Sequence, residues 1–229
     1  MRRIYVLLIL TSLFIGSMIE RSNAEVNVVG SIGDEGIRDF YITVGDYYNV
    51  PEREVIVVRE RGIPYEEIPV VFLIARKARV SPLTIIDLRL GGRDWIDIVS
   101  HFDLSPEIFY VPIPVEKIGP PYGKAYGYYR NKPRKEWRTI ILRDVDVINL
   151  VNLKFISEHY GYPPGHVIEM RSKGKGFLLI NEEIKKEKMH KEHVKEKHMK
   201  KEHMKESHTE NAKGKSKGKE KSNGKGKNK

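Results

Sequence analysis

The chain has 229 residues, 40% of them hydrophobic and 31% charged, with no cysteine and a formal net charge of +10. Without cysteine it has no disulfide scaffold, no thiol nucleophile and no thiolate-bound zinc or iron–sulfur centre. The charge sits at one end: residues 185–229 hold 17 Lys and 7 Glu, while residues 1–184 hold 24 basic and 24 acidic side chains. The basicity therefore belongs to a tail, and the body lacks the overall basic excess of a nucleic-acid-binding domain.

The N-terminus reads as an export signal. Arg2 and Arg3 precede an apolar run from Ile4 to Ile15, and Ser22-Asn23-Ala24 puts small residues at the −3 and −1 positions of a cleavage site before Glu25. The apolar stretch ends at Glu20-Arg21, short of the ~20 residues a membrane span requires. The expectation is a signal peptide over 1–24 and an exported protein, periplasmic or secreted, with no transmembrane segment after cleavage near Ala24. The rival is a retained membrane anchor.

Residues 25–118 are expected to be a helical repeat region. Val50–Ile68 aligns with Val80–Ile98 at a shift of 30, with identities at Val50/Val80, Ile56/Ile86, Arg59/Arg89, Gly62/Gly92 and Ile68/Ile98. Tyr162–Ile180 aligns with the second copy at a shift of 82, through Pro82/Pro164, Ile86/Ile168, Arg89/Arg171, Gly92/Gly174 and Ile98/Ile180. Tyr65, Trp95 and Phe177 share one column. A truncated copy starts at Leu104-Ser105-Pro106. Ser81-Pro82 and Ser105-Pro106 suit an N-cap serine followed by proline at the first helical position. The Arg falls in the last turn, where a cation meets the negative end of the helix dipole. The Gly three residues on suits a left-handed C-terminal position. The aromatic and Ile then open the next helix. Each unit is too small to bury its apolar face alone and needs stacking on neighbours. Val55–Val58 and Thr139–Leu142 are rich in β-branched residues. Helix is preferred because Val57 aligns with Asp87 and Glu169, charges that a helix can turn outward.

Residues 119–139 read as a Pro/Gly/Tyr-rich loop or extended linker, built around Gly119-Pro120-Pro121-Tyr122-Gly123-Lys124-Ala125-Tyr126-Gly127-Tyr128-Tyr129. Its tyrosines, with Arg and Lys beside them, suit a protein partner or a glycan, or else pack onto flanking helices. A C-terminal helical repeat over 140–184 follows. The fold class is all-α: tandem short helix pairs, helix-turn-helix-like, ending in a disordered or frayed-helix tail.

Two resemblances bear on this. Gly92–Pro106, with Trp95, Ile98 and Val99-Ser100, resembles the first helix and turn of helix-turn-helix domains. That resemblance implies a DNA-reading helix next, but Pro82–Leu90 and Pro106–Tyr110 offer little to a base edge, so DNA is not the expected partner. Residues 40–184 also resemble a set of uncharacterised bacterial exported proteins, through Leu88-Arg89 to Ile98, Tyr122–Gly127 and the Lys-rich end. That implies an all-helical exported protein and no particular activity.

No catalytic constellation stands out. There is no Gly-x-Ser-x-Gly elbow, and Gly119–Lys124 is one residue short of a phosphate loop, with Ala125 in place of Ser/Thr. Asp97 and His101 lie four apart on a predicted helix, without a nucleophile or metal to serve. His159 and His166 flank a turn and read as surface residues. Trp95, Trp137 and Phe177 read as core. The expectation is a protein that is not an enzyme.

Residues 185–229 form the low-complexity tail. A five-residue repeat runs over 189–208, every unit ending in His: Met189–His193, Val194–His198, Met199–His203 and Met204–His208. As candidate metal ligands it offers His190, His193, His198, His203 and His208 with Met189, Met199 and Met204. Thioether beside imidazole suits copper, and imidazole alone also suits nickel and zinc. A period of five does not match 3.6, so no continuous stripe forms. Beyond it Lys213, Lys215, Lys217, Lys219, Lys221, Lys225, Lys227 and Lys229 alternate with Gly, Ser and Asn. Such a segment attracts polyanions, with steep salt dependence. The expected function is an interaction or scaffold protein tethered to an anionic envelope surface or polysaccharide, the helical repeat being free to bind protein partners. Copper, nickel or zinc sequestration by the tail is the alternative.

Overall fold

A computed structural model describes residues 20–114 and 118–216, with side chains described over 33–114 and 118–201. The expected signal peptide, apart from the backbone of residues 20–24, lies outside the described residues. Among them there is no strand, and the fold is all-α. No helix among them is long and apolar enough to cross a membrane.

Nine α-helices are described in chain order: α1 (Glu20–Tyr48), α2 (Glu52–Glu60), α3 (Ile68–Ala78), α4 (Pro82–Leu90), α5 (Trp95–His101), α6 (Gly123–Arg130), α7 (Asp144–Tyr160), α8 (Pro164–Ser172) and α9 (Phe177–Ser216). Gly33, at φ 69° and ψ 168°, breaks α1. Short 3₁₀ turns occupy Tyr65–Glu67, Pro106–Phe109 and Arg134–Thr139. The chain divides into two units, Met1–Ile184 and Lys185–Lys229.

Helices α2, α4 and α8 start and stop in the same register, at shifts of 30 and 82. Each turns one face inward, through Val55 and Val58, Ile85 and Ile86, and Val167 and Met170. The column Val57, Asp87 and Glu169 is exposed in all three, so a charge is tolerated there. Ser81 Oγ accepts from Leu83 N–H and Ser105 Oγ from Glu107 N–H, as the Ser-Pro pairs lead one to expect. After Ser105, however, only the 3₁₀ turn follows.

The helix ends are equally regular. Gly62, Gly92 and Gly174 take φ of 98°, 88° and 85°. At the ends of the other helices of the cycle, Asn49, Arg79, Asp103 and Gly161 are all left-handed. The next amide in each case reaches back five residues: Val50 to Gly45, Val80 to Ala75, Leu104 to Val99 and Tyr162 to Ser157. This is the six-to-one bond that closes a helix C-terminus.

The core gathers around α3 and α7. Every residue of α3 from Ile68 to Ala75 is buried, as are Leu150–Leu153, Phe155 and Ile156 of α7. Phe40 meets Phe155 edge-on, with ring centroids 6.0 Å apart. Tyr160 of α7 donates to Asn181 of α9 and shares a hydrogen bond with Thr43 of α1, tying three helices together in the interior.

Two sequence expectations are corrected. Residues 119–139 are not an extended linker: α6 and a 3₁₀ turn form within them, and Tyr122, Tyr126, Tyr129 and Trp137 are buried. Tyr126 and Tyr129 fall three apart on α6, so one helical face carries both inward. The preference for helix over Thr139–Leu142 fails as well. Residues 140–143 are extended without pairing into a strand, burying Ile140 and Leu142 and exposing Ile141. Alternation buries two of the β-branched and aliphatic side chains without requiring a sheet.

Candidate functional site

The strongest polar constellation lies at the centre of the helix pairs. The Arg of each aligned copy behaves alike. Arg59 Nη1 donates to Ile63 O, Arg89 Nη1 to Arg93 O and Arg171 Nη1 to Lys175 O, always four residues on. Each guanidinium lies over the aromatic six residues on, 4.2 Å from Tyr65, 4.7 Å from Trp95 and 4.5 Å from Phe177. The Arg thus does more than offset a dipole: it locks the turn into the next helix.

Partners from other helices complete this network. Glu67 accepts from Arg89 Nε and Nη2, and Asp144 accepts from Arg89 Nη1. Arg171 Nε donates to Asn149 and its Nη2 to Glu66. Asp144 also accepts the Trp95 N–H at 2.8 Å, and Glu66 accepts the Phe177 N–H at 3.0 Å. A carboxylate from a distant segment therefore caps each of these helices, where orphan amides and the dipole favour a negative charge. Burial lowers the Arg89 pKa, but the hydrogen bonds it donates to Glu67, the charge of Glu67, and the hydrogen bond to and charge of Asp144 outweigh that and raise it. Sequence reasoning identified the arginines and missed Glu66, Glu67 and Asp144, whose role depends on contacts up to 111 residues away. The network is committed to the fold and presents no reacting group.

A second cluster opens to the surface. Tyr110 packs against Tyr126, Tyr129 and Trp137 with centroids 6.0, 5.1 and 4.7 Å away. Tyr126 donates to Val111 O and Tyr129 to Pro106 O, both at 2.7 Å, while Trp137 Nε1 donates to the carbonyls of Tyr129 and Lys132. Burial holds the phenols of Tyr126 and Tyr129 well above their ordinary pKa. A cleft of about 160 Å³ lies here, lined by Tyr110, Ile113, Ile118, Tyr126, Tyr129 and Arg130. The surrounding segment 123–143 carries seven basic side chains against the single acid Glu136. Arg134 pairs with Glu107, Arg138 with Asp103 and Arg143 with Asp146. Arg130 is exposed at the cleft.

The other sequence candidates are more dispersed. Asp97 and His101 are both exposed on α5, and His101 packs its ring against Phe102. Glu158 is taken up by Tyr47 and Lys154. His159 and His166 are half-buried against Tyr160 and Tyr162, so neither is a plain surface residue. Trp95, Trp137 and Phe177 are buried, as expected of core residues.

In the second unit, residues 189–201 are exposed throughout, on a helical backbone that reaches Ser216. Glu196 and Lys200 form an i,i+4 pair at 2.7 Å. Met189, His190, His193, His198 and Met199 are exposed, and no three His, Asp or Glu among the described residues are grouped to hold a metal ion. The side chains of His203, Met204, His208, Lys213 and Lys215 lie outside the described residues, as does everything from Lys217 through Lys219, Lys221, Lys225 and Lys227 to Lys229. Comparison of the chain with protein-family models, curated proteins and solved structures finds no match.

Proposed function

We propose that this is an exported, non-enzymatic binding protein whose helical unit is tethered to an anionic surface by its polycationic C-terminal segment. The observation that carries this reading is the segregation of charge: a body with 24 basic and 24 acidic side chains joined to 45 residues with 17 Lys and 7 Glu. The exposure of residues 189–201 supports it, because solvated lysines on a helical backbone can meet a polyanion without unfolding anything. An acidic polysaccharide of the envelope is the favoured surface. Co-sedimentation with immobilised polygalacturonate and with anionic vesicles tests the proposal. Retention at 20 mM salt should fall steeply by 200 mM, and a chain ending at Ile184 should be retained much less. Equal retention of the two chains would reject the tether.

A second reading rests on the Met/His repeat. The helical backbone sets Met189 and His193 one turn apart, and His190 and His193 three residues apart. Calorimetric titration of copper(II), nickel(II) and zinc(II) into the full chain and into a chain ending at Ile184 distinguishes the readings. Saturable uptake by the full chain alone would favour metal sequestration.

A further inference from the structure

The cleft beside Arg130 has no role in the fold network, and its size and chemistry define what it can take. Its volume of about 160 Å³ matches a protein cavity of about 150 Å³ that admits one benzene ring. It is lined by three tyrosines, Ile113, Ile118 and Arg130. The hydroxyl protons of Tyr126 and Tyr129 are committed to Val111 and Pro106 carbonyls and both side chains are buried, so the accessible walls are those of half-buried Tyr110, Ile113 and Ile118. The rings are wedged together through Tyr110 and Trp137, so little ordering entropy is lost when something binds. The one charged lining residue is Arg130, which has no ion-pair partner among the described residues.

A cleft of this size, walled by half-buried Tyr110, Ile113 and Ile118 and with one exposed arginine in its lining, selects a ring-sized ligand that carries one negative group. A carboxylate matches the planar fork of arginine in a bidentate fashion. We propose that this cleft binds a six-membered ring bearing a carboxylate, and that the ring is a uronate unit of an acidic polysaccharide. The C–H face of a pyranose packs on Tyr110, Ile113 and Ile118 while its C6 carboxylate pairs with Arg130. The choice of a polymer over a free aromatic acid rests on the cations of the segment that carries Arg130. Lys124 and Lys135 are exposed on it, which suits a ligand that repeats its charge. The inference builds on the tether reading by naming the sugar unit the folded part would hold.

Trp137, 4.7 Å from the lining residue Tyr110, provides the signal, while the other tryptophan, Trp95, packs under Arg89 in the arginine network. Trigalacturonate is titrated into the full chain at ~0.3 M salt, where screening suppresses the tail. Saturable change in tryptophan emission is expected. Arg130→Gln should weaken binding about tenfold, the loss expected for one charge-assisted hydrogen-bonded pair, and Arg130→Lys should recover part of it. The methyl ester of the trimer should bind as weakly to the native chain as the acid does to the Gln variant. Absence of trimer binding, equal binding of acid and ester, or an unaffected Gln variant would each overturn the proposal and leave the tether intact. Binding of benzoate but not of the trimer would overturn the uronate assignment. Failure of the tether reads out separately, as loss of long-polymer retention at low salt while trimer binding persists.

Discussion

Glu67 takes two hydrogen bonds from the guanidinium of Arg89, at 2.9 and 3.0 Å, across 22 residues of chain. The same separation joins Arg171 to Asn149, at 3.1 Å. The equivalent contact thus recurs at a shift of 82, with an amide in place of the carboxylate. Arg59 has Ile37 at that distance upstream. Arg59 locks its own turn through Ile63 and Tyr65, and the 3₁₀ turn of this first copy supplies carboxylates to the other two arginines.

Glu67→Ala should destabilise the protein by about 2 kcal/mol, the cost of losing charged hydrogen bonds while Asp144 still balances the guanidinium. Urea unfolding monitored by circular dichroism measures it. Arg138→Ala breaks a pair in which both side chains are mostly exposed, and should change stability by less than ~1 kcal/mol. Similar losses in the two variants would contradict the clamp.

Arg79 and Gly161 occupy equivalent left-handed positions, at φ 59° and 67°. An L-residue there costs roughly 1–2 kcal/mol, partly offset by the greater chain entropy of glycine. Arg79→Gly should therefore stabilise by about 0.5 kcal/mol, and Gly161→Ala should destabilise by about 1 kcal/mol. The shift in the urea midpoint gives both signs.

Alkaline pH should unfold the protein early. Burial raises the phenol pKa values of Tyr48, Tyr122, Tyr126 and Tyr129 above 10. The unfolded chain loses these protons near pH 10 while the folded chain keeps them, so stability is intact below pH 10 and falls as pH rises toward the folded values. Each tyrosine contributes a slope of about 1.4 kcal/mol per pH unit in that window. Thermal midpoints from pH 8 to pH 11.5 should stay level and then drop steeply. A flat profile through pH 11.5 would mean that these hydroxyls are solvated.

The exposed helical segment of the tail should respond to acid. The hydrogen bond from Lys200, followed by its charge, holds the Glu196 carboxyl below the usual range. A depressed folded value stabilises the helix above the unfolded value and is lost as pH falls through the folded one. Mean residue ellipticity should decline below pH 4.5, and Lys200→Ala should reduce the decline without altering the urea midpoint of the helical unit.

Much of this architecture is readable from the chain because it depends on neighbours within a turn or two. The nine-residue registers of α2, α4 and α8, the Ser81 and Ser105 caps, and the positive φ of Gly62, Gly92 and Gly174 all follow from local spacing. The outward column of Val57, Asp87 and Glu169 distinguished helix from strand for residues 53–60. The same reasoning failed at residues 140–143, where extended chain buries Ile140 and Leu142 without hydrogen-bonding a neighbouring strand.

The sequence by itself determined helices, their ends and the location of the excess charge, because propensity, capping and net charge are properties of short segments. Tertiary structure alone decided which carboxylates meet Arg89 and Arg171, and that Tyr122, Tyr126 and Tyr129 turn inward. Glu66 and Glu67 look like any charged turn in the chain: Glu67 acquires its role once Arg89 of α4 folds back across 22 residues, and Glu66 once α8 and α9 arrive from 105 and 111 residues away. Tyr126 and Tyr129 could be buried because packing brought the carbonyls of Val111 and Pro106 within reach of their hydroxyls. Tyr122 is buried without such an acceptor among the described residues and carries the cost of an unpaired hydroxyl.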